Sequence, residues 1–301
     1  MTPRRRVRTA AIVAAALLAL ALSACAPGGE VPDGEAPAPS TALPDGVTVE
    51  LQQGRSDVAA RQAQVVVRNG TDATLVVGPV EVEDPRFAAP IVRVEEREST
   101  IGPGRTVGIR VQLPDVACGQ DASEDAGSTV TLDYTLGDAA GRASAGIEDP
   151  IGFIEPLHVR DCRAAAVAEA AHVSFTDFDP SPPGEPAALM LGIAPTGRSA
   201  VLISGIQTTN LITFEDGGDT APETFPIGLE VRGGDTGLTE VSLPIVPIRC
   251  DPHAVQEDKR GTIFDLEVEV DGEPGEIELA ASEDLRGQIL TWVADWCGFG
   301  A

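Results

Sequence analysis

The chain has 301 residues, of which 43% are hydrophobic but only 4% aromatic, so any core is built mostly from Val, Leu, Ile and Ala. Its 21 Lys and Arg face 47 Asp and Glu, and the formal net charge of −26 excludes the basic footprint that a nucleic-acid binder needs. The 32 Gly and 24 Pro disfavour a helical bundle and favour many turns, while the length suits two domains of about 100–200 residues each.

Residues 1–24 read as an export signal. Arg4, Arg5, Arg6 and Arg8 form a positive start, and the apolar run Ala10–Leu22 is shorter than the ~20 residues that span a bilayer. The run ends in Leu22-Ser23-Ala24-Cys25. These four residues resemble the lipobox of bacterial lipoproteins. The resemblance implies cleavage before Cys25 and acylation of its thiol, palmitate included, which would place the protein on the outer face of the cell membrane. Two or three acyl chains anchor stably where one is marginal. Loss of the four signal arginines leaves a net charge of −30. Residues 25–45 are rich in Pro, Gly, Ala and Glu and read as a disordered tether.

The first folded domain is expected over residues 46–163. Val47–Gln52 alternates as a half-buried strand. Gln62–Arg68 and Thr74–Val82 are β-branched runs, and Asn69-Gly70-Thr71-Asp72 between them reads as a hairpin turn. Gly102-Pro103-Gly104 turns into Thr106–Leu113, whose Val107, Ile109, Val111 and Leu113 share one face. Val130–Leu136 is a further strand. Asp149-Pro150 reads as a helix start, with any helix there kept short by Pro156. The Ala-rich run Arg163–Ala171 is a connector.

The second domain is expected over residues 164–301. His172–Phe178 and Ala187–Ile193 are strands, and Pro195-Thr196-Gly197 turns into Ala200–Ile206 as another hairpin. Pro226–Val231, Leu238–Ile248 and the alternating Ile263–Val270 follow, and Asp271-Gly272 turns the chain into Glu276–Ala280. Ser282 caps a helix to about Trp296, which puts Trp292 and Trp296 on one face against the core. Short strands between Gly and Pro turns point to an all-β chain of two tandem immunoglobulin-like β-sandwiches, the second ending in a short α-helix.

Four cysteines remain besides Cys25, and an even number in an exported chain suggests disulfides. An internal repeat chooses among the three pairings. Asp149, Gly152, Ile154 and Cys162 recur as Asp284, Gly287, Ile289 and Cys297, and the preceding Cys118 and Cys250 lie 44 and 47 residues before their counterparts. The expected bridges are Cys118–Cys162 and Cys250–Cys297, one in each domain. The whole mature pattern resembles surface lipoproteins of high-GC Gram-positive bacteria, and the resemblance brings no catalytic residues with it.

Catalytic spacings are missing: no G-x-S-x-G, H-E-x-x-H, C-x-x-C or P-loop occurs, and Gly102–Gly108 reads as a turn before a strand. The expected class is therefore a non-enzymatic binding module without a cofactor, held to the membrane by lipid and facing a protein partner. His158 and His172 read as structural or surface groups. Segment Asp251–Gly261 is the candidate contact loop, through Asp251, His253, Glu257, Lys259 and Arg260. On a short helix His253 and Glu257 fall four residues apart, so a metal-binding role is one alternative, and a passive spacer is another. The acidic loops Asp121–Asp125 and Glu215–Asp219 lack the EF-hand spacing and read as solvated.

Overall fold

The computed structural model describes residues 42–119, 127–215, 222–256 and 260–299. The signal, Cys25 and most of the tether lie outside these residues, as do Asp121–Asp125, most of Glu215–Asp219, and Glu257, Asp258 and Lys259.

The first sandwich contains β1 (Val47–Gln52), α1 (Arg55–Val58), β2 (Gln62–Asn69), β3 (Leu75–Glu83), β4 (Ile91–Arg93), β5 (Ser99–Ile101), β6 (Thr106–Gln112), β7 (Ser128–Leu136) and β8 (Ala139–Ile147). Strand order is β1-β2-β6-β4-β3-β7-β8, with β5 added on β3. Strands β1, β2 and β6 make one layer and β3, β7 and β8 the other. The short β4 pairs with both β6 and β3, so it wraps one open side. A parallel bridge between Glu50 and Glu148 closes the opposite side, with the Leu51 amide donating to the Glu148 carbonyl at 2.8 Å. Leu51, Val65, Val67, Val77, Val82, Ile91, Val111 and Val130 are among the buried residues that fill the space between the layers.

The second sandwich contains β9 (Ala171–Asp179), β10 (Ala187–Pro195), β11 (Val201–Gln207), β12 (Ile212–Phe214), β13 (Thr224–Val231), β14 (Thr239–Pro247), β15 (Ile263–Val270) and β16 (Glu273–Ala280). Its sheets run β12-β14-β10-β9 and β13-β11-β15-β16, all antiparallel. The core holds Phe175, Phe214 and Phe264 among Leu, Ile and Val, with Phe175 and Phe264 edge to face at 5.2 Å. Asp271 and Gly272, both at positive φ, make the two-residue turn from β15 to β16.

Two expected hairpins are corrected. Strand β2 pairs with β1 and β6, whereas β3 pairs with β4, β5 and β7, so Asn69–Asp72 carries the chain from one layer of the sheet to the other. Pro195–Gly197 does the same between β10 and β11. Turn chemistry shows where a chain reverses and is silent on which strand it will pair with. The crossover is pinned by Asn69, whose buried amide donates to the carbonyls of Ala73 (2.8 Å) and Ile101 (2.9 Å) and accepts from the Thr71 amide and hydroxyl.

The expectation of a short helix near Pro156 is also corrected. Helix α2 runs Ile154–Ala170, 17 residues, and passes through the expected boundary at 163/164. Pro156 is its third residue, where an amide has no intrahelical acceptor to lose. Asp149 acts at this terminus as a capping group from outside, its Oδ2 accepting from the Ile154 amide at 2.9 Å. Ile154 and Leu157 enter the first core, while Val167 and Ala170 enter the second. Helix α3 (Pro252–Gln256) follows β14, and α4 (Glu283–Trp296) closes the chain, capped as expected by the Ser282 hydroxyl on the Leu285 amide.

Candidate interaction surfaces

Both disulfides pair as the repeat predicts, Cys118 with Cys162 on α2 and Cys250 with Cys297 at the end of α4. The first bridge works with ion pairs to hold α2 on the first sandwich. Arg61 reaches Asp161 at 2.7 Å, and Arg86 joins the buried Asp84 at 2.7 Å and Glu155 at 3.4 Å. His158 faces the Ala117 carbonyl at 2.9 Å, a structural placement. Burial works to raise the Asp84 carboxyl, but hydrogen bonds from Arg86 and Ser128 outweigh it and hold the group below the usual range.

The loop at 250–261 starts as expected. Pro252 opens α3, and the Asp251 carboxylate accepts from the His253 amide at 3.0 Å. Val255 anchors the loop in the second core. The His253 side chain is 89% exposed, with the Asp251 carboxylate 3.8 Å from Nδ1. Arg260 is engaged, donating to Glu278 on β16 at 2.7 Å. The structure thus brings Asp251 beside His253 but directs Arg260 away, toward the sheet. The expected Glu257 and Lys259 contributions lie outside the described residues. Trp292 and Trp296 are structural: their indole N–H groups donate to the carbonyls of Ser181 (3.0 Å) and Glu185 (3.1 Å), and Trp292 meets Phe178 edge to face.

A surface that the sequence reading missed lies on the first sandwich. Residues 91–101 form a strap across the open side, from β4 to β5. Its anchor is Arg93, which donates to the carbonyls of Val77 (3.1 Å) and Gly78 (2.7 Å) and to the Ser99 hydroxyl (2.8 Å). They lie where β3 bulges, between Val77 and Val80, opposite β7. One side of the strap is a groove of about 270 Å³. Pro79 and the half-exposed Val92 supply apolar surface, and Glu81, Glu95, Glu96 and Asp133 give it an acidic rim. Arg142 lies 3.7 Å from Asp133 and offsets part of that charge. The available signal was the mixed-charge run Arg93–Glu98 set between two short β-branched pairs, Ile91-Val92 and Thr100-Ile101.

No protein-family model and no characterised protein sequence matches the chain. Among solved structures, red sea bream transglutaminase is 10% identical over 80% of this chain, with a TM-score of 0.23, and the chain spans only 32% of that enzyme's length. The Pseudomonas aeruginosa chaperone CupB2 is 10% identical over 74% of this chain and 94% of its own, with a TM-score of 0.19. The E. coli chaperone DraB is 12% identical over 78% and 98%, with a TM-score of 0.20. Overlaps this loose establish no shared activity, and the assignment of two immunoglobulin-like sandwiches stands on the strand order itself.

Proposed function

We propose that this chain is a lipid-anchored, extracytoplasmic and non-enzymatic binding module that holds a protein partner in the groove beside the strap. The observation that carries the reading is the groove itself: apolar surface from Pro79 and Val92 inside four carboxylates. This arrangement suits an extended segment that presents an apolar side chain between cationic ones. The apolar group supplies contact, and the flanking charges meet the acidic rim, which orients the partner and excludes acidic competitors. The helix α2, seated in both cores, supports a rigid platform, which lowers the entropy cost of binding. The anchor rests on the residues Leu22–Cys25.

A photo-cross-linking residue at Val92 in intact cells, with a second probe at His253, tests this reading. A protein adduct at position 92, lost in Glu81→Lys with Glu96→Lys, is the expected result. No adduct at 92, or one indifferent to charge reversal, refutes it, and an adduct at 253 alone transfers the contact to the second domain. In parallel, a labelled acyl precursor is expected to mark the wild type and not Cys25→Ala.

A further inference from the structure

The strap has a second side. There Arg93, Arg97 and Arg110 line a separate polar pocket of about 270 Å³, together with Gln64 and Ser99. The chain carries 47 acids, so three converging arginines are a local reversal of its charge. Each comes from a different part of the fold: Arg93 ends β4, Arg97 lies in the strap and Arg110 is on β6.

The pocket's groups are only partly satisfied. Arg93 spends both terminal nitrogens on protein acceptors, yet its Nε–H is buried with no partner. Burial, reinforced by Arg97 and opposed by Glu95 and Glu98, pushes the Arg93 guanidinium down from its ordinary value. Among the described residues Arg97 pairs only with Glu95, and the two side chains are 79% and 49% exposed. Arg110 makes no side-chain hydrogen bond or ion pair among the described residues. The floor of the pocket is the Gln64 carboxamide, which lies there because position 108 is glycine. A Cβ there would meet the Gln64 Oε1 at 2.2 Å, so Gly108 lets the Gln64 carboxamide lie across β6. That carboxamide is oriented from behind by the buried Asp57, which accepts from its Nε2 at 2.8 Å.

We propose that this pocket binds a small oxyanion group, phosphate or carboxylate, through Arg97 and Arg110, with the half-buried Arg93 supplying fixed positive charge beneath. Guanidinium forks match the planar and tetrahedral oxygen arrays of these groups, and charge-assisted hydrogen bonds are the stronger kind. Glu95 is the built-in competitor: an incoming anion displaces it from Arg97. The proposal does not depend on the groove across the strap.

The test is calorimetry on the full chain purified in detergent micelles, with inorganic phosphate and, separately, succinate as probes. The strongly negative net charge repels anions in general, so a saturable signal reports a site. Saturation by either probe, weakened tenfold or more in Arg97→Gln with Arg110→Gln at unchanged melting temperature, is expected. Arg68→Gln with Arg105→Gln, which removes two cations outside the pocket, is expected to bind as the wild type. Saturation by phosphate alone assigns a phosphate ligand, and by succinate alone a carboxylate. The proposal is overturned if neither probe saturates below about 10 mM, an affinity too weak to mark a built site, or if the pocket variant binds as tightly as the wild type.

Discussion

Asn69 offers a sharp test of the crossover between the two layers of the first sandwich. Its amide is fully buried and makes four hydrogen bonds, two as donor to the Ala73 and Ile101 carbonyls and two as acceptor from Thr71. Asn69→Ala removes all four. At about 1 kcal/mol net for each bond, discounted for the Thr71 hydroxyl that can turn to another acceptor, the loss is about 3 kcal/mol. Asn69→Asp keeps the shape but puts an oxygen where the two carbonyls expect a donor. Ionised, that carboxylate faces acceptors at the Asn69 Nδ2 distances of 2.8 and 2.9 Å, so its folded-state pKa must rise above the ordinary value of about 4. The raised value sets the sign. The Asp variant is most stable when protonated, and its stability falls as pH climbs from the unfolded pKa toward the folded one. Urea unfolding followed by hydrogen exchange in β2 and β6 is the assay, since both tryptophans report on the other sandwich. At neutral pH Asn69→Asp should be at least as damaged as Asn69→Ala, and acidification should restore part of the loss. If Asn69→Asp is within about 0.5 kcal/mol of wild type at neutral pH, the size expected for an ordinary surface change, or shows no pH dependence, the account of Asn69 as the pin is wrong.

The remaining expectations concern the helices and the carboxylates. Replacing Cys118 and Cys162 together by Ser should cost about 4 kcal/mol in the chain-entropy account of a loop this long, read as a lower urea midpoint for the first sandwich. Asp84 has a depressed pKa, so its contribution is present above the unfolded value and lost as pH falls through the folded one; Asp84→Asn should lower neutral stability and flatten the acid limb of the urea midpoint. Asp265 behaves oppositely, because burial and the neighbouring Glu276 and Glu278 raise its pKa against the smaller pull of Arg260. Stability is gained there as pH falls, so Asp265→Asn should stabilise the second sandwich at neutral pH and remove that gain. Trp292→Ala should cost about 3–5 kcal/mol for a large buried aromatic, measured by thermal unfolding followed in the far-ultraviolet.

Strands buried on one face were legible because alternation records burial directly. Val47–Gln52 and Ile263–Val270 have the expected ends, and Phe264, Leu266 and Val268 lie in the core as their spacing requires. Strand β8 escaped because its Ala, Gly and Ser have little strand preference; it is held by pairing along its whole length with β7, through the two-residue turn Gly137-Asp138. The strap was legible only as a charged run, since its two short strands are fixed by Arg93 reaching the Val77 and Gly78 carbonyls at a bulge in β3. Of the candidate loop, the cap and the helix start at Asp251-Pro252 were readable, but the Arg260–Glu278 contact was not, because it joins groups 18 residues apart through the β15–β16 turn.

The repeated motif gave the correct disulfides although its helices are out of phase. Asp149 and Gly152 precede α2, whereas Asp284 and Gly287 lie inside α4. The shared requirement is therefore the covalent one: each sandwich needs a cysteine returning to the cysteine that follows its sixth strand, and the helix around that cysteine is free to slide in sequence. In the second half the helix is spent before Cys297 and packs on its own domain. In the first it continues eight residues beyond Cys162, so that one face reaches the next core with Val167 and Ala170. The same continuation brings Arg163 over β16, where a Cβ at position 275 would meet its guanidinium carbon at 2.0 Å. Gly275 is the complement of that arginine, and the two cores are joined by a helix whose first turns belong to one sandwich and whose last turn belongs to the other. A polar or flexible linker at Arg163–Ala171 would have left the sandwiches free to turn on each other; an alanine-rich helical segment with two inward apolar residues instead makes the orientation of the second sandwich part of the folding of the first.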